Sequence, residues 1–133
     1  MSRKWLYKPR DIATINPMSF HFQGRFLYCE GIKITDLFAR TSTTPFYLYS
    51  TKQLRQNFAT YQNALTGIEG IISYAIKANG NLTLLKMLRE MESWATLVSG
   101  GELKLALAAG FAPEQLIFNG NGKTRSELKF AIE

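Results

Sequence analysis

From Thr44 onward, short apolar runs alternate with apolar positions at helical spacing. Pro45-Phe46-Tyr47-Leu48-Tyr49 is aromatic and reads as a strand. Ser50-Thr51-Lys52-Gln53 then has capping-box spacing, a hydroxyl and a Gln side chain that can satisfy the first free amides of a helix. Leu54, Phe58, Tyr61 and Leu65 fall on one face of that helix, and Gly67 can end it. Ile71 to Ile76 is a continuous apolar run of the kind found in strands covered on both faces. Leu82, Leu85, Leu88 and Met91 recur at helical spacing, and Trp94 to Val98 predicts a second apolar strand. Ser99-Gly100-Gly101-Glu102 repeats the capping box, and the Leu- and Ala-rich helix behind it stops at Gly110 with Pro113 beyond. Leu116-Ile117-Phe118 predicts a third strand, and Thr124-Arg125-Ser126-Glu127 a third box that opens a final helix.

The three strands end near Lys77, Ser99 and Asn121, in nearly equal steps, and each is followed by a helix. Repeats of this size build parallel sheets with right-handed crossovers. The predicted class is therefore α/β, with about three strand–helix units, whereas an eight-fold barrel takes about 250 residues. The first 45 residues differ. Phe20 and Phe22 alternate with polar neighbours, and Phe26 to Tyr28 follow a Gln23-Gly24 turn signal, which together predict a hairpin or edge strands. This divides the chain into an N-terminal arm with β-strands, residues 1–43, and a strand–helix region, residues 44–133. The last helix reaches Ile132-Glu133 without a stop signal and carries Leu128 and Ile132 on an apolar stripe, which reads as a truncated chain.

Composition narrows the classes. The 133 residues are 46% hydrophobic and 20% charged, a globular balance. Sixteen Lys and Arg against ten Asp and Glu give +6, which permits an anionic partner without identifying one. Arg3, Lys4, Lys8 and Arg10 read as a solvated arm, and no nucleic-acid contact is expected. One cysteine, Cys29, and one histidine, His21, exclude a disulfide framework and a two-His zinc motif, and both residues read as ordinary packing. The basic N-terminus has no apolar stretch behind it, and the longest apolar run is far short of a membrane span. A soluble, cytoplasmic protein is expected. Asn81-Leu82-Thr83 spells a glycosylation sequon, read here as chance.

Sites in parallel α/β proteins gather at the carboxyl ends of the strands. Three segments qualify: Ile76 to Asn79, Val98 to Glu102 and Asn119 to Lys123. Lys77 is the sharpest candidate, because an amine directly after an apolar strand can be desolvated and can form a Schiff base with a carbonyl or with pyridoxal phosphate. Its alternative is a lysine that snorkels to solvent. Ser99 and Glu102 read first as helix caps. Gly122-Lys123-Thr124 looks like the tail of a phosphate-binding loop, but that motif requires a glycine where Ile117 stands.

Four stretches carry a more specific signal: TPFYLYS (Thr44 to Ser50), YAIKANGN (Tyr74 to Asn81), VSGGELKLALAAG (Val98 to Gly110) and IFNGNGKT (Ile117 to Thr124). In this order and spacing, the chain resembles the pyridoxal-phosphate-dependent decarboxylases of the alanine-racemase-like barrel fold, and within them the diaminopimelate decarboxylase branch. FHFQGRFLYCEGIKITDLF fits, more loosely, the strands that precede the barrel in that family. The resemblance implies part of a (β/α)8 barrel of the TIM type and pyridoxal 5'-phosphate as cofactor. It makes Lys77 the catalytic, Schiff-base lysine and places Ala75, Thr96, Glu102 and Asn121 in the cofactor cleft. Thr96 stands where the family usually carries an aspartate. The family's glycine-rich phosphate loop, the acidic partner of the pyridine nitrogen, the ring-stacking histidine and the cysteine supplied across a homodimer lie beyond the matched stretch.

The activity so implied is decarboxylation of meso-2,6-diaminopimelate to L-lysine, with this segment expected to be inactive by itself. The alternatives are another amino-acid decarboxylase of the same fold (carboxynorspermidine, ornithine or arginine type), a non-catalytic binding fragment, or half of an enzyme whose barrel a second chain completes. No metal and no membrane partner is expected.

Overall fold

The computed structural model describes residues 19–41 and 43–133. The basic cluster Arg3, Lys4, Lys8 and Arg10 lies outside the described residues. The chain divides into two compact units between Leu54 and Arg55.

In the first unit, β1 (Phe20–Gln23), β2 (Phe26–Cys29) and β3 (Ile32–Lys33) form an antiparallel sheet in that order. The predicted hairpin is present. Gln23 pairs with Phe26, and Gly24 takes the left-handed conformation (φ 61°) that so short a turn requires. Its faces are not sorted as alternation suggests, because Phe22 is 74% exposed. Helix α1 (Ile34–Thr41) departs from the irregular, β-flavoured reading of this region. The signal was there: Ile34, Leu37 and Phe38 follow i, i+3, i+4 spacing. Pro45 to Tyr49 also differs from expectation. The segment belongs to no strand, and Tyr47 and Tyr49 are exposed, with ring centroids 6.5 Å apart. A strand exists only where a neighbour completes its ladder, and among the described residues none lies beside this segment.

Helix α2 (Thr51–Ala64) starts as predicted: Ser50 Oγ accepts the Gln53 N–H at 2.9 Å. The second unit continues with β4 (Ser73–Ala75), α3 (Leu82–Glu90), β5 (Trp94–Leu97), α4 (Gly100–Ala109), β6 (Leu116–Phe118) and α5 (Arg125–Ile132). The sheet is parallel in the order β4-β5-β6, with Ala75 beside Thr96 and Thr96 beside Ile117. Strand order equals chain order, and α4 packs on α3, on α5 and on β5. Sequential order with no reversal is the winding of a barrel rather than of a doubly wound sheet.

The core lies between the helices and one face of this sheet. Ala95 and Leu97 point to that face and are fully buried with Leu85, while Leu88, Leu103, Ala106, Ala109 and Phe111 close around them. Gly110 ends α4 in the left-handed conformation (φ 89°), as its position predicted. The apolar run at Ile71 to Ile76 is only half strand. Ile71 is 52% exposed, the ladder spans Ser73 to Ala75, and Ile76, 1% exposed, already begins a 3-10 turn. Among the described residues β4 is an edge strand, so it is not enclosed as a central strand would be. No helix among the described residues is long and apolar enough to cross a membrane.

Candidate functional site at the carboxyl edge of the sheet

Because β4, β5 and β6 run parallel and in register, their carboxyl ends emerge along one edge. That edge carries all three segments singled out in the sequence. Lys77 lies in the 3-10 turn Ile76–Ala78 directly after β4. Buried Ile76 anchors the turn, while Lys77 and Ala78 are exposed. The turn is tied forward by a relay of polar contacts. The Tyr74 hydroxyl donates to the Asn79 carbonyl at 3.4 Å, and Asn79 Oδ1 accepts the Asn81 N–H at 2.9 Å. Asn81 Oδ1 then accepts the N–H groups of Thr83 and Leu84, at 2.9 and 3.3 Å, which caps α3. The sequon asparagine is thus an N-cap. Gly80 lets the neighbouring helix come close, since a Cβ there would stand 3.1 Å from Leu105 Cδ1.

The second segment is the Val98–Glu102 turn. Ser99 Oγ accepts the Glu102 N–H at 3.2 Å, as a cap should. The Glu102 carboxylate takes the N–H of Val98 at 2.8 Å, one residue upstream of the partner a capping box assigns it. Glu102 therefore fastens the last residue of the strand side to the first turn of α4.

The third segment follows β6. Asn119 N–H extends the ladder to the Leu97 carbonyl at 2.9 Å, and Gly120 turns the chain with φ 87° against Val98. Lys123 folds back on its own loop. Its ammonium donates to the Gly120 carbonyl and lies 4.9 Å from the Phe118 ring centroid. Asn121 is exposed at the loop tip. The capping box at α5 closes fully, with Thr124 and Glu127 exchanging backbone donors at 2.9 and 3.2 Å.

Ser73, Ala75, Thr96 and Ile117 share the sheet face opposite the core, and each is half-buried or exposed. Ser73 Oγ and Thr96 Oγ1 are 2.7 Å apart, a neutral hydroxyl pair. Elsewhere, His21 stacks on Tyr28 at 5.8 Å, and Cys29 is buried. Burial, and then the charge of Glu30, pushes the Cys29 thiol up, which leaves it a poor nucleophile. Among the described residues no group of three or more His, Cys, Asp or Glu is arranged to hold a metal ion.

Ser73 and Asn81 lie outside the three strand-end segments that the sequence singles out. Asn81 had a local signal, since an asparagine just before a helical stripe is an N-cap pattern. Ser73 had none, because its partner Thr96 is set by strand register. The residues present fit a cofactor that carries an aldehyde. Lys77 is an exposed amine at a strand's carboxyl end, and no carboxylate among the described residues pairs with it.

Residues 51–133 match the family model for the pyridoxal binding domain of pyridoxal-dependent decarboxylases. The protein named "Probable diaminopimelate decarboxylase, chloroplastic" of Oryza sativa subsp. japonica is 53% identical over 107 residues, 80% of this chain and 22% of that protein. Diaminopimelate decarboxylase of Aquifex aeolicus (strain VF5) is 42% identical over 92% of this chain and 28% of its own length. The chain thus spans between about a fifth and three tenths of the curated relatives it matches. Among solved structures, diaminopimelate decarboxylase from M. jannaschii in complex with L-lysine superposes with a TM-score of 0.79 at 31% identity, covering 85% of this chain and 27% of that one. The Helicobacter pylori enzyme complexed with L-lysine gives 0.69 at 42% identity, over 74% of this chain and 25% of its own. With α2 to α5, the parallel strands and the lysine-bearing edge all inside the matched region, this chain belongs to the pyridoxal-dependent decarboxylase family.

Proposed function

We propose that this chain carries the cofactor-anchoring part of a pyridoxal-phosphate-dependent diaminopimelate decarboxylase, which removes one carboxyl group of meso-2,6-diaminopimelate to leave L-lysine. The observation that carries the reading is Lys77, an exposed amine on a fixed turn at the carboxyl edge of a parallel sheet. Relatives named for this activity support the substrate, as does the L-lysine bound in two similar structures. The region serving this chemistry begins at residue 44 in this reading, with Pro45 to Tyr49 as its first, extended segment.

When bound, pyridoxal phosphate supplies an electron sink for the pair left behind as the carboxylate departs. The chain's own residues hold and orient. Lys77 is the amine that anchors the aldehyde. Ala75 and Thr96 offer a small, uncharged floor beside it, with the Thr96 hydroxyl held by Ser73. Glu102 keeps the β5 turn in place through the Val98 N–H, and Asn121 presents an amide from the β6 loop. A homodimer, an amino-acid substrate and a cytoplasmic setting belong to the same reading and rest on the family resemblance.

A second reading keeps the chemistry and changes the substrate. Lysine decarboxylase from Selenomonas ruminantium also superposes, with a TM-score of 0.63 at 27% identity, so a shorter or differently charged amino acid is the competing substrate.

The test is an absorbance scan of the purified chain with pyridoxal phosphate, wild type beside Lys77→Ala. A band at roughly 410–430 nm that disappears in the variant is the expected result. Equal bands in both proteins would assign the signal to surface lysines and remove Lys77 from the reading.

A further inference from the structure

Glu127 does more than close its own capping box. Its Oε2 stays local, accepting the Thr124 N–H at 2.9 Å and the Thr124 hydroxyl at 2.8 Å. Its Oε1 leaves the helix and accepts the N–H of Gly100, the first residue of α4, at 2.8 Å. That amide is one of the orphan donors of a helix start, and a carboxylate from the next helix satisfies it. The glycine is explained by the same contact. A Cβ at position 100 would stand 3.0 Å from Glu127 Cγ, while the Gly100 backbone is not in the left-handed region. It is close approach, and not conformation, that a side chain there would disturb, since Glu127 would have to give by a few tenths of an ångström.

The bond adds a polar tie between two segments of the carboxyl edge that otherwise touch where Gly120 lies against Val98. One is Val98 to Glu102; the other is Asn119 to Thr124. The ladder bond from Asn119 to the Leu97 carbonyl ends just where the two diverge. We propose that Glu127 is a positioning residue, a strut whose carboxylate holds these two segments as one rigid rim. Its consequence for the cofactor rests on the reading above, in which Glu102 stands on one segment and Asn121 on the other. Oriented backbone is what such a rim contributes: small misplacements of groups around a bound reactant weaken every contact they make.

The test uses the whole 133-residue chain. Amide resonances are recorded by NMR, and pyridoxal phosphate is titrated by the Lys77-dependent band, in wild type, Glu127→Ala, Glu127→Gln and Gly100→Ala. Gly100→Ala leaves the carboxylate in the sequence and crowds its side chain, and alanine is the better helix former, so its effect is not a loss of helix. Expected are amide shifts in both Val98 to Glu102 and Asn119 to Thr124 for Glu127→Ala and Gly100→Ala. Both variants bind the cofactor about tenfold more weakly with unchanged far-UV circular dichroism, and Glu127→Gln, which keeps an acceptor oxygen, falls between. Shifts confined to Thr124 to Leu128, or unchanged affinity in both variants, would overturn the strut. A wild-type chain with no Lys77-dependent band would overturn the cofactor reading instead, and the amide shifts alone then decide the strut. Should Glu127→Ala fail to fold, Gly100→Ala decides by the same two readings.

Discussion

Around Glu30 the first unit is held by polar bonds. The Glu30 carboxylate accepts the Ser50 hydroxyl at 2.6 Å, the Lys52 N–H at 2.7 Å and the Thr51 hydroxyl at 3.3 Å, so a loop after β2 helps cap α2. Few side chains there are buried, Ser19, Cys29 and Ser50 among them, while Phe22 and Tyr47 stand in solvent. Around Leu85 and Leu97 the second unit is held by apolar burial, with both side chains fully enclosed. The comparison teaches where rigidity comes from. Burial of apolar surface is cumulative and tolerates pH, whereas a charged node is local, directional and lost when its carboxylate takes up a proton.

The largest break in that comparison should come from the core. Leu85→Ala removes a fully buried side chain and should cost about 2–5 kcal/mol, read by urea unfolding followed through far-UV circular dichroism. A loss below about 1 kcal/mol would mean that the helices are not packed on the sheet as described. Helix caps come next. Asn81→Ala should cost about 1 kcal/mol, because two amides of α3 lose their acceptor. Ser50→Ala should cost less in the same assay, since Glu30 still accepts the Lys52 N–H. Equal losses at the two caps would show that the Glu30 node adds nothing.

Titration sharpens the contrast further. The Ser50 hydroxyl, then the Lys52 and Thr51 donors, hold the Glu30 carboxyl below 4.5. Glu127 is held lower: the Gly100 amide, then the Thr124 amide and hydroxyl and the Lys123 ammonium, bring it from 4.5 to about 2. Both folded values lie below the unfolded one, so each carboxylate stabilises the fold fully above pH 4.5 and loses that contribution as pH falls through its folded value. Followed by NMR, the Gly100 amide should titrate with a midpoint near 2 and stop titrating there in Glu127→Gln. A midpoint near 4.5 would mean that the carboxylate is not bonded as described. Smallest of all should be Phe22→Ser. At 74% exposure its removal should change stability by less than about 0.5 kcal/mol in the same urea assay.

Much of this was legible in the chain itself. Each of Ser50, Ser99 and Thr124 accepts the amide that its capping-box spacing assigned to it, and Gly110 ends α4. The position of Lys77 after an apolar run was readable too, because a strand end followed by helical spacing is a local pattern. What went astray also has a local reason. Pro45 to Tyr49 has strand composition, yet composition cannot supply the neighbour that a ladder needs. Ile71 has the residue type of a buried strand, but burial depends on how many strands flank it.

From Ser50 onward, local chemistry in the chain set the order of helices and strands, the caps of α2 to α5, the glycine that ends α4 and the lysine that follows β4. These are fixed by contacts within a few residues, where side-chain chemistry acts on adjacent backbone. Which polar groups meet across elements is set by packing. Ser73 finds Thr96 because parallel register sets their strands side by side. Glu30 finds Ser50, and Glu127 finds Gly100, because turns bring distant segments within hydrogen-bond reach. A carboxylate's type is written in the chain, but its partner depends on the distances that packing alone sets.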